Sequence, residues 1–262
     1  MFIFGAMFGL GILIPTAQAM DFPAVMEECA DGTFINWTEM RLESVAQGQT
    51  GFSAKGYEKQ EIRAMTVANE NLQRNLVNLN IDAKTSYNDL LNRNDEISKY
   101  ITSNVIRYDV AETIYNSDKS VETTVYIDIH TLLRPYILER AEYEQKKPPR
   151  PKEYTGIIID ARQIDFDPVL FPTIDTKDIP EWLSVAGFSD YSAKTNLPFL
   201  YATDAANPLA LNKVGRNPAF VVATASKYDH LIVDVGSLQL TDDDRSSIMG
   251  YGSVVILLQS PN

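Results

Sequence analysis

The chain has 262 residues and a formal net charge of −12 at pH 7, from 35 acidic and 23 basic side chains. Excess negative charge repels phosphate backbones and anionic lipid headgroups, which argues against nucleic-acid binding and against membrane binding through a basic patch. The only cysteine, Cys29, excludes an intrachain disulfide and leaves two interpretations, a free or buried thiol and a bond to another chain.

Residues 1–19 have the pattern of a signal peptide. The run from Met1 to Pro15 is apolar and uncharged but shorter than the about 20 residues that span a bilayer. Ala17 and Ala19 supply the small residues of a cleavage site, although no basic residue precedes the run. A short membrane anchor or a buried helix is the alternative. We therefore predict export with a mature chain from Met20, and no direct lipid anchor because Cys29 lies ten residues beyond Ala19.

Residues 20–140 are predicted to form an α+β domain. A strand is predicted from Phe34 to Gln47, and two more at 105–115 and 121–129. A helix begins at Tyr57, and its predicted core face consists of Ile62, Met65, Ala68, Leu72, Leu76 and Leu79. A second helix starts near Ser86, with Asp89 as its capping-box partner. This order predicts an antiparallel sheet with two helices on one face.

Residues 141–153 form a predicted linker rich in proline and lysine. Its three prolines favour an extended chain without ladder hydrogen bonds, which is typical of a semi-rigid spacer. The basic residues around it indicate a solvated linker, with a docking site for an acidic partner as the alternative.

Residues 154–262 are predicted to form a mixed, β-rich domain with short helices. Continuous apolar runs at 155–161, 219–224, 231–235 and 254–258 indicate strands that are buried on both faces. Thr241 is predicted to cap a short helix whose first turn holds Asp242, Asp243 and Asp244. These carboxylates complement the helix dipole, whereas a calcium site would need further oxygen ligands and a glycine turn.

The sequence carries no recognisable catalytic or cofactor-binding motif. His130 and His230 are the only histidines, and they could form a shared site only if the two predicted domains faced each other. We predict a structural role for each histidine, and no catalytic residue, metal or cofactor. The protein is therefore predicted not to be an enzyme, and a hydrolase that pairs a histidine with an acidic residue is the least favoured alternative.

The segments 154–162 and 167–174 resemble the "TGLVIDARG…PALxPxI" signature of one bacterial family. That family contains the twenty-kilodalton Helicobacter outer-membrane lipoprotein and its flagellar relatives FlgP and FlgT, and the similarity extends to 206–208 and 215–222. The resemblance implies an exported α+β module, often at the outer membrane, that builds rings or disks around the motor in flagellated bacteria and has an unknown role elsewhere. It implies no catalytic residue. Because no cysteine follows the signal, attachment through a partner is expected.

We therefore predict a periplasmic structural or assembly protein, associated with the outer membrane, that self-associates and contacts other envelope or flagellar-motor proteins. The alternative is a glycan- or peptidoglycan-binding module in which Trp37, Trp182 or Tyr191 offers a stacking surface, although core packing explains these aromatics equally well. Within the motif, Asp160 and Arg162 are predicted to satisfy turn backbone groups or each other.

Overall fold

The computed structural model describes residues 22–48, 56–93, 95–104, 107–141, 148–151, 153–236, 238 and 240–259. Two β-sheets with packed helices make up these residues, which confirms the predicted α+β class. The predicted signal peptide and residues 142–147 of the predicted linker lie outside them. Across the described ranges, no helix is both long enough and apolar enough to cross a membrane.

The first sheet is antiparallel, with the strand order β1-β2-β3-β5-β4. Its strands are β1 Met26–Glu28, β2 Thr33–Asn36, β3 Arg41–Gly48, β4 Asp109–Tyr115 and β5 Val121–Asp128. Every second residue of β5 is buried, so the predicted alternation of this strand is confirmed.

The prediction of one strand from Phe34 to Gln47 is wrong, because a turn at residues 37–40 separates β2 from β3. Asn36 Oδ1 accepts a hydrogen bond from Glu39 N at 2.9 Å, and Met40 has a φ of 54°. Neither glycine nor proline marks this turn. The Asn36 side chain closes it instead, which is a common use of asparagine.

Five helical segments accompany the first sheet. They are α1 Tyr57–Asn75, a 3₁₀ turn at Leu76–Asn78, α2 Tyr87–Leu91, α3 Glu96–Asn104 and α4 Ile129–Arg140. The capping box of Ser86 and Asp89 is confirmed at the start of α2. The predicted second helix is divided between α2 and α3, and α4 is additional to the prediction.

Helix α1 packs against β3 and β5 through a face that is only partly the predicted one. Ala68 and Leu72 are buried as expected, whereas Ile62 is 55% exposed. Asn71 and Asn75 occupy the buried face, where their side-chain amides donate to the backbone oxygens of residues 31 and 30 at 2.8 and 3.2 Å. These polar side chains can be buried because they form hydrogen bonds with the backbone oxygens of the β1–β2 turn.

The second sheet is mixed, with the order β7-β10-β9-β6-β11-β8. Its strands are β6 Gly156–Asp160, β7 Thr173–Thr176, β8 Phe199–Ala202, β9 Pro218–Lys227, β10 His230–Asp234 and β11 Val254–Leu257. Strands β9, β6, β11 and β8 are mutually parallel. Its helices are α5 Asp190–Ala193, α6 Pro208–Val214 and α7 Asp242–Tyr251, with a 3₁₀ turn at Val185–Gly187. All four apolar runs form strands, and Thr241 caps α7 as predicted. Burial on both faces is confirmed for β6 and β11 and is wrong for β9, which alternates between buried and exposed residues.

The two halves pack on each other through a continuous apolar core. Leu170 N and Phe171 N, in the second half of the family-like motif, donate to Asn80 O and Ile81 O at 3.3 and 2.9 Å. The prediction of a solvated spacer is wrong at Pro148. This residue is buried against α7, and its backbone oxygen accepts a hydrogen bond from the Tyr251 hydroxyl at 3.1 Å.

Candidate interaction surface

Helix α6 covers one half of the outer face of the second sheet. Its Ala210 and Val214 form a buried apolar cluster with Ile158, Val255 and other residues of β6, β8 and β11. The helix lies unusually close to β6, because an ideal Cβ built on Gly156 would be 2.6 Å from the Cα of Val214. Glycine at this position is therefore what permits the contact.

The other half of the same face is open to solvent. Phe220 on β9 is the register partner of Ile158 on β6, so both side chains point to the same face. Ile158 is 4% exposed under α6, whereas Phe220 is 53% exposed and Val222 is 49% exposed. Parallel strands are normally covered on both faces. We call the surface formed by Phe220, Val222 and Ile232 the open sheet face.

A second exposed surface lies at the edge of the first sheet. Strand β4 pairs only with β5 among the described residues, and its Val110, Ile114 and Tyr115 are exposed. The Tyr115 ring meets that of Tyr57 edge to face, with centroids 5.5 Å apart. The Tyr115 hydroxyl donates to Glu61 at 2.8 Å, which raises the pKa of the phenol. Asp109 and a bulge after Val110 interrupt this edge, as in many protected edge strands.

Asp160 and Arg162 pair with each other, and Asp160 Oδ1 also accepts a hydrogen bond from Arg162 N at 3.2 Å, so both predicted alternatives are confirmed. Arg162 Nε and Nη2 donate to Asp160 Oδ1 and Oδ2 at 2.8 and 2.6 Å. This bidentate hydrogen bonding lowers the pKa of Asp160 and raises that of Arg162. The pair follows β6 directly and needs no ligand to account for it.

The structure does not bring the two histidines together. His130 Nε2 lies 3.0 Å from Ala193 O, so this nitrogen carries a proton and donates it to the backbone oxygen. His230 Nδ1 lies 2.7 Å from Asp175 Oδ2, while its Nε2 faces Asp229 Oδ1 at 3.7 Å. The histidine–acid pair of the hydrolase alternative is thus present, but both nitrogens of its ring face carboxylates rather than a nucleophile.

In the acidic first turn of α7, Asp244 forms a capping box with Thr241. Thr241 Oγ1 accepts from Asp244 N at 3.1 Å, and the Asp244 carboxylate accepts from Thr241 in return. Over the described ranges, no cluster of three or more His, Cys, Asp or Glu side chains is arranged to hold a metal ion.

The aromatic residues of the glycan-binding alternative are mostly inside the protein. Trp37 is fully buried, its Nε1 donates to Glu27 Oε2 at 2.8 Å, and burial raises the pKa of that carboxyl. Trp182 is buried as well, and only Tyr191 is exposed. Cys29 is half-buried, and burial raises the pKa of its thiol, which lowers the fraction of reactive thiolate.

These features define an α+β protein of two packed sheets with an incompletely covered sheet face. Residues 156–260 match the family model described as Treponema pallidum Tp0624, second domain. The match spans the second sheet from the first residue of β6, including the open sheet face. A search of the curated proteins finds no match to the chain.

Proposed function

We propose that the protein is an exported structural component of the bacterial envelope that self-associates and binds other envelope proteins. The observation that carries this proposal is the open sheet face. Phe220 and Val222 stand in the same sheet layer as residues that α6 buries, yet nothing in the described part of the chain covers them. Burying such side chains contributes about 1.5–3 kcal/mol each, so a partner that covers this face would gain substantial binding energy.

The location and partners in this proposal rest on sequence patterns. The residue 1–19 pattern supports export to the periplasm, and the resemblance to the Helicobacter lipoprotein and FlgP/FlgT supports a ring or scaffold at the outer membrane, around the flagellar motor in flagellated cells. The match of residues 156–260 to a second domain supports a unit that works beside other domains. The glycan-binding alternative loses support, because Trp37 and Trp182 are both buried.

Static light scattering of residues 20–262 over a concentration series tests the proposal. We expect the molar mass to rise with concentration towards a closed multimer. Replacing Phe220 with serine should weaken this association at least tenfold, since it is the largest side chain of the open sheet face and is 53% exposed.

The matched control is Tyr228→Ser. Tyr228 is 81% exposed in the turn between β9 and β10, outside the open sheet face, and its replacement should leave association unchanged. A monomer at every concentration, or equal effects of the two substitutions, would contradict self-association through this face.

A further inference from the structure

A cleft of about 470 Å³ lies between the two halves, away from the open sheet face. It is bounded by the 37–40 turn, the start of α4, the 195–197 loop, β8 and α6. Leu197, Phe199, Leu200 and Leu209 form apolar walls, and Asn196 and Lys213 supply polar groups. Clefts of this size and mixed lining are typical of small-molecule sites.

Lys213 is held in this cleft by neutral groups alone. Its Nζ donates to Asn196 Oδ1 at 2.8 Å and to the backbone oxygen of Leu197. None of the described residues places a carboxylate within 4.0 Å of this nitrogen. A neutral amine has two N–H donors and one lone pair. The two acceptors satisfy both donors, and the lone pair remains for an electrophile, whereas an ammonium group would have a third donor to satisfy.

The charged groups around the cleft are engaged elsewhere. Four titratable residues besides Lys213 line it. Arg41 pairs with Glu39, Asp128 accepts a hydrogen bond from Thr131 N, and His130 bonds to Ala193 O. Burial lowers the pKa of Lys213 to about 7, because the charged ammonium loses its hydration without gaining a counter-ion. The neutral amine of Lys213 is therefore far more populated near pH 7 than that of a fully hydrated lysine.

We propose that this cleft binds small aldehydes or ketones with an apolar body, and that Lys213 is the nucleophile that holds them covalently. The neutral amine nitrogen attacks the carbonyl carbon, and a C–N bond forms. The two amine protons leave with the carbonyl oxygen as one molecule of water, and a C=N imine remains. The step requires no oxidant or reductant, and lysine amines that are desolvated in this way react by the same route in other proteins.

Reductive trapping tests the proposal. The full chain is incubated with butanal and sodium cyanoborohydride at pH 7, and the labelled lysines are quantified by peptide mass spectrometry. Lys213 should be labelled at least tenfold faster than Lys194, an exposed lysine two residues beyond Ser192. Its rate should saturate with butanal concentration and rise with pH to a midpoint near 7. Labelling no faster than that of Lys194 overturns the proposal, and fast labelling that does not saturate overturns the binding site.

The Asn196→Asp variant separates the nucleophile from a merely accessible lysine. A carboxylate at this position would lie beside Nζ and stabilise the ammonium form. Labelling of Lys213 at pH 7 should fall at least tenfold and its midpoint should move to higher pH, while Lys194 is unaffected. An unchanged profile in this variant would count against the neutral amine as the reacting form.

Discussion

Replacing Gly156 with alanine tests the close contact between β6 and α6. The added methyl carbon would lie 2.6–2.7 Å from three atoms of Val214, against the 3.4 Å or more of ordinary contacts. Helix α6 must move outward by nearly 1 Å, which costs about 1–3 kcal/mol in strain and lost packing. The movement also breaks the hydrogen bond from Thr155 Oγ1 to Val214 O, of 2.6 Å, for about 1 kcal/mol more.

We therefore expect the free energy of unfolding to fall by about 3 kcal/mol. In urea denaturation followed by circular dichroism, the midpoint should fall by about 1 M. The Thr155→Val variant is the control, since it adds no contact with Val214. It removes the hydrogen bond to Val214 O and the one that Thr155 Oγ1 accepts from Asn217 N at 2.9 Å, so it should lose about 1–2 kcal/mol. A Gly156→Ala midpoint within about 0.2 M of the wild type would refute the packing argument.

Three further predictions concern stability, each measured by urea denaturation. Ile158→Ala should lower the free energy of unfolding by about 2–5 kcal/mol and Phe220→Ala by less than about 1 kcal/mol, because only Ile158 is buried. Equal losses would mean that the open sheet face is covered. Wild-type stability should rise between pH 7 and pH 10, by at most about 3.5 kcal/mol, because the unfolded chain keeps the Lys213 proton up to the ordinary pKa of 10.5 while the folded chain releases it near 7. The Lys213→Met variant should lose this rise, and a persistent rise would assign it to other groups. Thr241→Ala should cost about 1 kcal/mol through its cap on Asp244 N, and no loss would show that water replaces the cap.

The features of the fold that were predictable are those with a local signal. The capping pairs of Ser86 with Asp89 and of Thr241 with the α7 turn follow from side chains that bond to backbone within three residues. The apolar strands of the second sheet follow from composition alone. Their spatial order does not, because parallel strands join through connections whose length leaves several orders open.

The errors arise where tertiary contacts outweigh local pattern. Met40 has a positive φ, which is unfavourable for a residue with a side chain. The same turn buries Trp37, and this tertiary packing is not visible in the local sequence. Helix α4 contains Pro135, which normally argues against a helix, although Asp128 offers an N-cap to Thr131 N. On the buried face of α1, Asn71 and Asn75 stand where the pattern predicted Ile62. They are buried because their side chains donate to backbone oxygens of the β1–β2 turn.

The candidate sites were less predictable than the fold. The pairing of Asp160 with Arg162 could be expected from their spacing of two residues. The open sheet face depends on how far α6 reaches across the strands, and the Lys213 cleft joins segments that are distant in sequence. No local sequence pattern indicates which lysine will be buried without a counter-ion. The roles of residues 196 and 213 could therefore not be predicted from the sequence.

The shared core has a consequence for the order in which the protein can fold. A ribosome adds about 5–20 residues per second, so Tyr201 is synthesised roughly 4–15 seconds after β5, which completes the first sheet. During that interval Trp37 lacks the Tyr201 ring against which it packs, with centroids 5.7 Å apart. Until residues 199–202 are available, the first half exposes apolar surface that the second half later buries, and a chaperone that binds this surface would protect the chain from aggregation.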